Sequence, residues 1–278
     1  TDYKTNFKDV WEYDPSNDTW TQKANFSGGA RFGAVSFIIE DKAYVATGYD
    51  DNNKTVYKDL WEFTPSANKW VKKTDLPCKG KYYAIAFAIG KKGYIGGGLE
   101  KNHDSVLWEY DQTSDRWTEK KGTATISPGC HGAIGFSIGN KGYVVGGMYR
   151  LTTYNTFEEY DPEKDEWTKK SIFIGGGRYL MAGFVIGNNI YIGTGSEGIA
   201  EDGRDLSNKM DFYEWNPATD KWTEKANFCN AKDGLKYKEY KGIKRFGAVG
   251  FAIGNKGYIG TGKDEKTNFN DFWEWSEK

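Results

Sequence analysis

The strongest constraint on this chain is a ten-residue segment that occurs five times, with an aromatic residue near each end. The copies read WEYDPSNDTW from 11, WEFTPSANKW from 61, WEYDQTSDRW from 108, EEYDPEKDEW from 158 and YEWNPATDKW from 213, and a sixth begins as WEWSEK at 273. The closing tryptophans, Trp20, Trp70, Trp117, Trp167 and Trp222, are 50, 47, 50 and 55 residues apart. A period of that length indicates an array of supersecondary units, each too small to bury its apolar face without neighbours.

Each repeat contains four short segments with the composition of β-strands, which we name a to d in chain order. Strand a is a run of small and apolar residues, as in FGAVSFII from 32. A two-residue turn such as Gly139-Asn140 leads to strand b, which ends on glycines, as in GYVVGG from 142. Strand c is the WEYD segment, in which aromatic and acidic residues alternate, and strand d carries the closing tryptophan. The pattern predicts an all-β fold of four-stranded antiparallel sheets.

Several features resemble kelch repeats over essentially the whole chain. They are the glycine doublets at 97–98 and 146–147, the Y-D-P-x-x-x-x-W runs from 13 and 160, and the regular period. The resemblance implies a kelch-type β-propeller in which each repeat forms one blade, as a single domain spanning 1–278. It selects no single function, because kelch propellers serve as protein-binding modules, lectin-like sensors and a few enzymes.

A count of the strands predicts six blades, with five as the alternative. The chain holds five a, five b, six c and five d strands, and the opening YKTNFKDVWEY closely matches KTNFNDFWEW from 266. We therefore expect the N-terminal piece to be the second half of a first blade whose a and b strands are absent from the chain. In the five-blade alternative, this piece completes the blade that begins at 245, and the segment after 273 is spare.

Charge and cysteine content argue against several kinds of partner. The chain has 38 basic and 39 acidic residues, so no global field attracts nucleic acid or an anionic membrane. No apolar run is long enough for a transmembrane helix. Cys78, Cys130 and Cys229 cannot all pair and show no C-x-x-C spacing, so neither a disulfide framework nor a thiolate metal site is expected.

The loops predict which side of the blades binds. Antiparallel strands place the a–b and c–d turns at one end of a sheet and the b–c and d–a loops at the other. The turns are short and uniform, whereas the loops differ in every repeat. We therefore expect the b–c and d–a side to carry the binding site. No cofactor is expected, and the one candidate for Ca²⁺, formed by Glu201, Asp202 and Asp205 in a b–c loop, matches no EF-hand spacing.

Candidate ligand-binding residues lie on that side, at the start of strand a. One equivalent position holds Arg31, Lys81, Cys130, Arg178 and Arg245, and the next residue is Tyr82, His131 or Tyr179 in three repeats. One hypothesis is a basic collar that receives a carboxylate or another acidic group. The candidates are Arg31, Lys81, Tyr82, His131, Tyr149, Arg178, Tyr179 and Arg245. Kelch modules that bind acidic peptides use arginines in this general region, so the resemblance implies the same.

A structural interpretation competes with the collar. The register of the a–b hairpin places Arg31 opposite Asp50, and Glu100, Glu197 and Asp264 occupy the same place in the other repeats that carry a base. The repeat with Cys130 has Tyr149 there instead. This matching predicts ion pairs within blades that position the loops.

Most other conspicuous side chains favour packing over chemistry. All 11 tryptophans lie on strands c and d or in the terminal WEW, and the strand-c glutamates recur in every copy, as expected of blade-packing residues. Stacking on a sugar would fall to loop tyrosines, of which Tyr49, Tyr149, Tyr154 and Tyr237 are examples. A copper oxidase would need more imidazoles than the two histidines, and Cys130 beside His131, with Tyr149 near, is the one cluster worth weighing.

The sequence therefore favours a non-catalytic binding or interaction module that engages a protein partner through the b–c and d–a side. The alternative is a carbohydrate-active enzyme of the kelch type, a sugar mutarotase, epimerase or oxidase, or a carbohydrate-binding protein. The Asn/Lys/Thr-rich, disulfide-free repeats resemble those of bacterial envelope kelch proteins, which are often lipid-anchored. That resemblance implies an extracytoplasmic lipoprotein of the cell envelope.

Overall fold

The computed structural model describes residues 6–99, 106–120, 130–198, 207–225 and 244–276. The chain divides into two compact units, Thr1–Gly129 and Cys130–Lys278. The single domain expected over 1–278 stays a prediction. Among the residues that the structure describes, none belongs to a helix with the length and apolar character needed to cross a lipid bilayer.

In its described residues, unit 1 contains a two-stranded hairpin followed by two four-stranded antiparallel sheets. The hairpin is β1 (Val10–Asp14) and β2 (Thr19–Lys23). The first sheet is β3 (Val35–Ile39), β4 (Lys42–Ala46), β7 (Leu60–Thr64) and β8 (Lys69–Lys73), with the small hairpin β5 (Tyr49–Asp50) and β6 (Thr55–Val56) in its b–c loop and one 3₁₀ turn at Pro65–Ala67. The second sheet is β9 (Ile85–Ile89), β10 (Lys92–Gly96), β11 (Leu107–Asp111) and β12 (Arg116–Lys120).

The part of unit 2 that the structure describes contains two four-stranded sheets and one three-stranded sheet. The first is β13 (Ile134–Ile138), β14 (Lys141–Val145), β17 (Phe157–Asp161) and β18 (Glu166–Lys169), with the small hairpin β15 (Met148–Tyr149) and β16 (Thr152–Thr153) in its b–c loop. The second is β19 (Ala182–Ile186), β20 (Asn189–Gly193), β21 (Phe212–Asn216) and β22 (Lys221–Lys225). The third is β23 (Val249–Ile253), β24 (Lys256–Gly260) and β25 (Phe272–Ser276).

The structure has five blades, so the prediction of six is wrong and the alternative of five is confirmed. Each of the five a–b hairpins pairs with a strand c of its own in the described residues. In the last blade, Phe272 pairs with Gly260 and Trp273 with Ile259. The segment that the five-blade alternative left spare is therefore strand c of that blade. The N-terminal hairpin forms its own two-stranded pair, because Val10 faces Lys23 and Trp11 faces Gln22.

A buried polar contact between strands b and c recurs in the blades. In the first blade the Tyr44 hydroxyl donates to Glu62 Oε2 at 2.6 Å, and Lys42 Nζ lies 2.8 Å from Glu62 Oε1. Burial alone would raise the pKa of Glu62, but the hydrogen bonds from Lys42 and Tyr44 hold it below its ordinary value. Tyr94 donates to Glu109 in the same way. The strand-c glutamates therefore stabilise the blades, as their recurrence predicted.

In the described residues, strand-d tryptophans connect three of the sheets to the strands that precede them. The indole Nε1 of Trp70 donates to the Ala24 carbonyl at 3.0 Å, and that of Trp117 donates to the Thr74 carbonyl at 2.8 Å. In unit 2, Trp222 donates to the Ser171 carbonyl at 3.2 Å. Each acceptor lies just after the preceding strand d. All 11 tryptophans lie on strands c and d, as predicted.

Neighbouring sheets are also joined by backbone hydrogen bonds where strand a begins. The Tyr83 N–H donates to the Gly33 carbonyl at 2.8 Å, the Leu180 N–H to Gly132 at 2.7 Å, and the Gly247 N–H to Leu180 at 2.9 Å. All five residues have left-handed φ values between 53° and 65°. These bonds fix the backbone beside the candidate residues at the start of strand a, which lie one and two positions earlier.

Candidate functional site

The candidate residues lie where strands a and b extend beyond the regular sheet. Isolated pairings continue each a–b hairpin toward the b–c loop, as in Phe32 with Tyr49 and His131 with Met148. The first of these pairings is the register that places Arg31 opposite Asp50, so the predicted backbone alignment is confirmed. The side chains, however, do not follow it.

Three arginines form the same buried contact, which we call the arginine latch. Arg31 binds both carboxylate oxygens of Asp59, at 2.5 and 3.0 Å, and donates to the Thr47 carbonyl at 2.8 Å. Its guanidinium also donates to the Gly28 carbonyl and lies 3.6 Å from the centre of the Tyr57 ring. This latch thus connects the d–a segment, the end of strand b and the start of strand c, and Arg178 makes the equivalent contact with the Gly175 carbonyl.

The other two latches are in unit 2. Arg178 binds Asp211 at 2.5 and 3.0 Å, and Arg245 binds Asp271 at 2.5 and 2.7 Å. Arg178 and Arg245 are 0 % exposed and Arg31 is 8 % exposed. Burial by itself would raise the pKa of Asp271, but the hydrogen bonds from Arg245 and Trp273 lower it below its ordinary range. The guanidinium groups therefore form their ion pairs inside the blades.

The predicted ion pairs within blades exist, but their acids were assigned wrongly. Asp50 accepts hydrogen bonds from the Asn52 N–H and the Asn53 amide in its own loop. Glu197 pairs with Lys209 at 2.6 Å, and Asp264 accepts from backbone N–H groups two and three residues later. Glu100 lies outside the described residues. The residue that faces an arginine across the a–b hairpin is not its ion-pair partner, because the long arginine side chain reaches across strand b to strand c.

A signal for the true partners was present in the sequence. The acid of each latch is the residue just before strand c, and it occurs in every blade with an arginine at the latch position. The two blades without that arginine have Val106 and Thr156 before strand c. Matching the blades that have the arginine with those that have an acid just before strand c would have identified all three latches.

The two exceptional blades carry Lys81 and Cys130 at the latch position. Lys81 is fully buried. The Cys130 thiol lies 3.8 Å from the Gly146 carbonyl, where the arginines donate to the equivalent threonine carbonyl. Burial, with a smaller contribution from the charge of Glu158, raises the pKa of Cys130 to about 12. The thiol is therefore neutral at physiological pH.

In unit 1, four aromatic rings meet beside these residues in what we call the aromatic patch, formed by Phe32, Tyr49, Tyr82 and Tyr83. Tyr49 and Tyr82 stack with centroids 5.3 Å apart, and Phe32 contacts both edge-on at 5.4 and 6.1 Å. Tyr83 lies 5.8 Å from Phe32 and 5.5 Å from Tyr82. All four are partly exposed. Burial, and then the neighbouring Tyr49, raise the pKa of Tyr82, so its hydroxyl stays protonated.

The remaining candidates lie in unit 2. His131 is buried with its ring 6.1 Å from that of buried Tyr179, and the Arg150 guanidinium lies 5.4 Å from the Tyr149 ring. No group of three or more metal-ligating side chains is found in the described part of the chain. The Ca²⁺ candidate with Glu201, Asp202 and Asp205 falls outside that part and stays a prediction, as does the basic collar.

Repeated antiparallel sheets joined by strand-d tryptophans define a β-propeller of the kelch type, a class that generally binds proteins. The chain belongs to the family described as the KLHDC2/KLHL20/DRC7 Kelch-repeats domain, which matches residues 1–147 and 40–234. No curated protein matches the chain. The solved structure entitled "Structure of YjhT" is similar with a TM-score of 0.75 and 17% identity, over 97% of this chain and 89% of that one. At that identity the likeness shows the fold alone.

Proposed function

We propose that this protein is a non-catalytic interaction module that binds a protein partner through its b–c and d–a loops. The observation that carries the proposal is the arginine latch, which fixes the loop ends in three of the five blades. A loop whose ends are held by buried, bidentate contacts loses less conformational entropy on binding. The variable loops are therefore presented as a preorganised surface.

The small loop hairpins support the same proposal. The hairpins β5–β6 and β15–β16 give regular backbone pairing to loops whose sequences differ between repeats. The opposite turns, such as Gly139-Asn140, keep two residues in every blade. A rigid scaffold with individual loops on one side is the usual arrangement of a recognition surface.

Loop variants with matched turn variants test this function. We expect Lys54→Ala with Leu151→Ala, at exposed tips of the two loop hairpins, to weaken capture of a specific protein from an extract of the source organism. Asp41→Ala with Lys91→Ala, at exposed a–b turns, serves as the control. Quantitative mass spectrometry after crosslinking compares the two. Equal loss with both pairs, or retention with both, would contradict a loop-side site.

A location in the bacterial cell envelope is proposed from the sequence resemblance only. Fractionation of source cells, followed by detection with an antibody against the chain, tests it. Recovery in the soluble cytoplasmic fraction would overturn this location without affecting the proposed binding side.

A further inference from the structure

We propose that the segment leading into strand β1 binds the guanidinium group of an arginine that a partner protein supplies. The site consists of Phe7, Asp9 and Trp11, which we call the half-latch. The inference rests on the proposed function and specifies one side chain of the partner. Its basis is the chemistry of the complete latches, the exposure of the half-latch, and its place at the end of strand c.

The half-latch repeats the acidic side of two complete latches. An aromatic residue, an aspartate and a tryptophan, each separated by one residue, occur three times in the chain. The copies are Phe7-Lys8-Asp9-Val10-Trp11, Tyr57-Lys58-Asp59-Leu60-Trp61 and Phe269-Asn270-Asp271-Phe272-Trp273. In the second and third copies, the aspartate binds both terminal nitrogens of an arginine. The guanidinium carbon of that arginine lies 3.6 or 4.4 Å from the centre of the first aromatic ring.

The tryptophan of each copy orients the aspartate by a hydrogen bond. Trp61 Nε1 donates to Asp59 Oδ2 at 2.7 Å, and the third copy has the same bond at 2.9 Å. Trp11 Nε1 donates to Asp9 Oδ2 at 2.6 Å. The half-latch therefore holds its carboxylate by the contact that the complete latches use.

The half-latch differs from the complete latches in its exposure. Phe7 is 61 % exposed and Trp11 is 49 % exposed, and Asp9 between them is also exposed. The corresponding residues of the other two copies are all partly buried. No arginine in the described part of the chain contacts Asp9. An arginine that arrives from outside the chain can therefore reach both the carboxylate and the ring.

This combination of groups favours a guanidinium group over other cations. A guanidinium group is planar, presents paired N–H donors to both oxygens of one carboxylate, and stacks on an aromatic ring, whereas the lysine ammonium group is a strongly hydrated point charge. The neighbouring Lys8 does not prevent this binding, because Lys58 occupies the same place beside Asp59 and a complete latch forms there. The ligand expected at the half-latch is therefore an arginine side chain.

The position of the half-latch suits a partner that approaches the loop side. Asp9 immediately precedes β1, so it lies at the end of that strand from which b–c loops extend. Among the described residues, two further arginines of the chain are exposed. Arg116 begins a strand d, at the turn end of its sheet, and the Arg150 guanidinium lies over the Tyr149 ring. We therefore assign the arginine to a different protein and not to a second copy of this chain.

Titration of the isotope-labelled full chain with N-acetyl-arginine methylamide, followed by NMR of the Trp11 indole N–H signal, tests the site. We expect a saturable shift with a dissociation constant of about 1–10 mM. N-acetyl-lysine methylamide should bind about threefold more weakly or less well still. Asp9→Asn should abolish the saturable shift. Glu12→Gln removes the same charge from another exposed residue of the hairpin and should change the affinity less than about twofold.

Capture from an extract of the source organism tests whether the partner supplies the arginine. We expect Asp9→Asn to reduce capture by about threefold to tenfold, and Glu12→Gln to leave it nearly unchanged. Excess N-acetyl-arginine methylamide should compete with the partner for the wild-type chain. Competition of equal strength by the lysine amide would mean that the site does not select arginine.

Several results would overturn the inference. They are no response of the Trp11 indole to the arginine amide, an equal response to the lysine amide, or equal losses with Asp9→Asn and Glu12→Gln. Self-association that Asp9→Asn abolishes, measured by analytical ultracentrifugation, would assign the arginine to a second copy and reject a different protein as its source. If the loop variants lose capture while Asp9→Asn retains it, the proposed function stands and only this site is rejected.

Discussion

At the scale of single residues, the arginine latch is the contact whose disruption should lower the stability of the fold most. Arg178 is completely buried, and the side chain of its partner Asp211 is 23 % exposed. Removing one member of a buried pair leaves the other charge in a poorly solvated place, whereas removing both avoids that cost. The latch therefore stabilises the loop ends only as a complete pair.

We expect Arg178→Met to lower the free energy of unfolding by about 2–4 kcal/mol, a value reduced for the partial exposure of Asp211. The double variant Arg178→Met/Asp211→Leu should recover much of the loss. Urea unfolding followed by tryptophan fluorescence measures both. Lys209→Met breaks the more exposed pair with Glu197 and should cost less than about 1 kcal/mol. A cost for Arg178→Met no larger than that of Lys209→Met would contradict the latch.

The lowered pKa of Asp271 predicts an acid dependence of stability. Its folded-state pKa lies below the ordinary value of 3.8, so ionisation favours the folded state above that value. The contribution is lost as pH falls through the lowered folded pKa. We expect Asp271→Asn to be less stable than wild type at pH 7 and the difference to shrink toward about pH 2. Urea unfolding across this range checks it, and a constant difference would be contrary evidence.

From the sequence, the latch position was predicted correctly but the wrong latch partner was assigned, although the sequence contained a signal for the right one. Aligning the repeats on the strand-b tyrosine placed Arg31, Arg178 and Arg245 at one position, and the hairpin register that puts Arg31 opposite Asp50 was correct. The error came from assuming that a side chain pairs with the residue facing it across the hairpin. The aromatic patch was only partly foreseen through Tyr49 and Tyr82, because the ring of Tyr83 depends on a backbone conformation that composition does not reveal.

At the scale of elements, the N-terminal hairpin β1–β2 packs as a c–d pair does elsewhere. Ala24 accepts from the Trp70 indole, as Thr74 accepts from Trp117. The Phe26 ring lies 4.8 Å from that of Trp70, and Phe26 is buried. Strand boundaries followed from the sequence pattern, whereas the blade count required the observed pairing of strand c.

We expect Trp70→Phe to loosen the hairpin Val10–Lys23 selectively, because it removes the hydrogen bond to Ala24 and part of a buried contact. The loss of one such bond is about 1 kcal/mol. Hydrogen exchange followed by mass spectrometry should show faster exchange in β1 and β2 than in β9 and β10. Trp11→Phe, at a site that is 49 % exposed, is the control. Uniformly faster exchange throughout unit 1 would contradict the prediction, because it would mean that Trp70 stabilises the whole unit and not the hairpin Val10–Lys23 in particular.

At the scale of the whole molecule, neighbouring blades within a unit fit together through glycines and aromatic rings. A Cβ at Gly93 would come within 2.3 Å of the Phe37 ring, and one at Gly257 would overlap the Phe184 ring. The glycine at the second position of strand b of one blade thus provides space for an aromatic residue on strand a of the preceding blade. The glycines that end strand b were noted in the sequence, and the structure adds a packing role for the glycines near the start of that strand.

We expect Gly93→Ala to lower the free energy of unfolding by about 1–3 kcal/mol, because the added methyl group overpacks the contact with Phe37. Phe37→Leu should be destabilising alone, and the double variant Phe37→Leu/Gly93→Ala should be less destabilised than the sum of the two. A double-mutant cycle from urea unfolding measures the coupling. Strict additivity would mean that the two positions do not share one packing site.

The backbone bonds between neighbouring blades at Gly33, Tyr83, Gly132, Leu180 and Gly247 involve only N–H and carbonyl groups. These bonds therefore do not depend on which side chains the adjacent residues carry. Residues such as Phe32, Tyr82 and His131 can thus be exchanged during evolution while the scaffold keeps its alignment. The arrangement of the blades can therefore stay the same while the side chains that contact a partner change. A related chain can thus acquire a new partner through few substitutions.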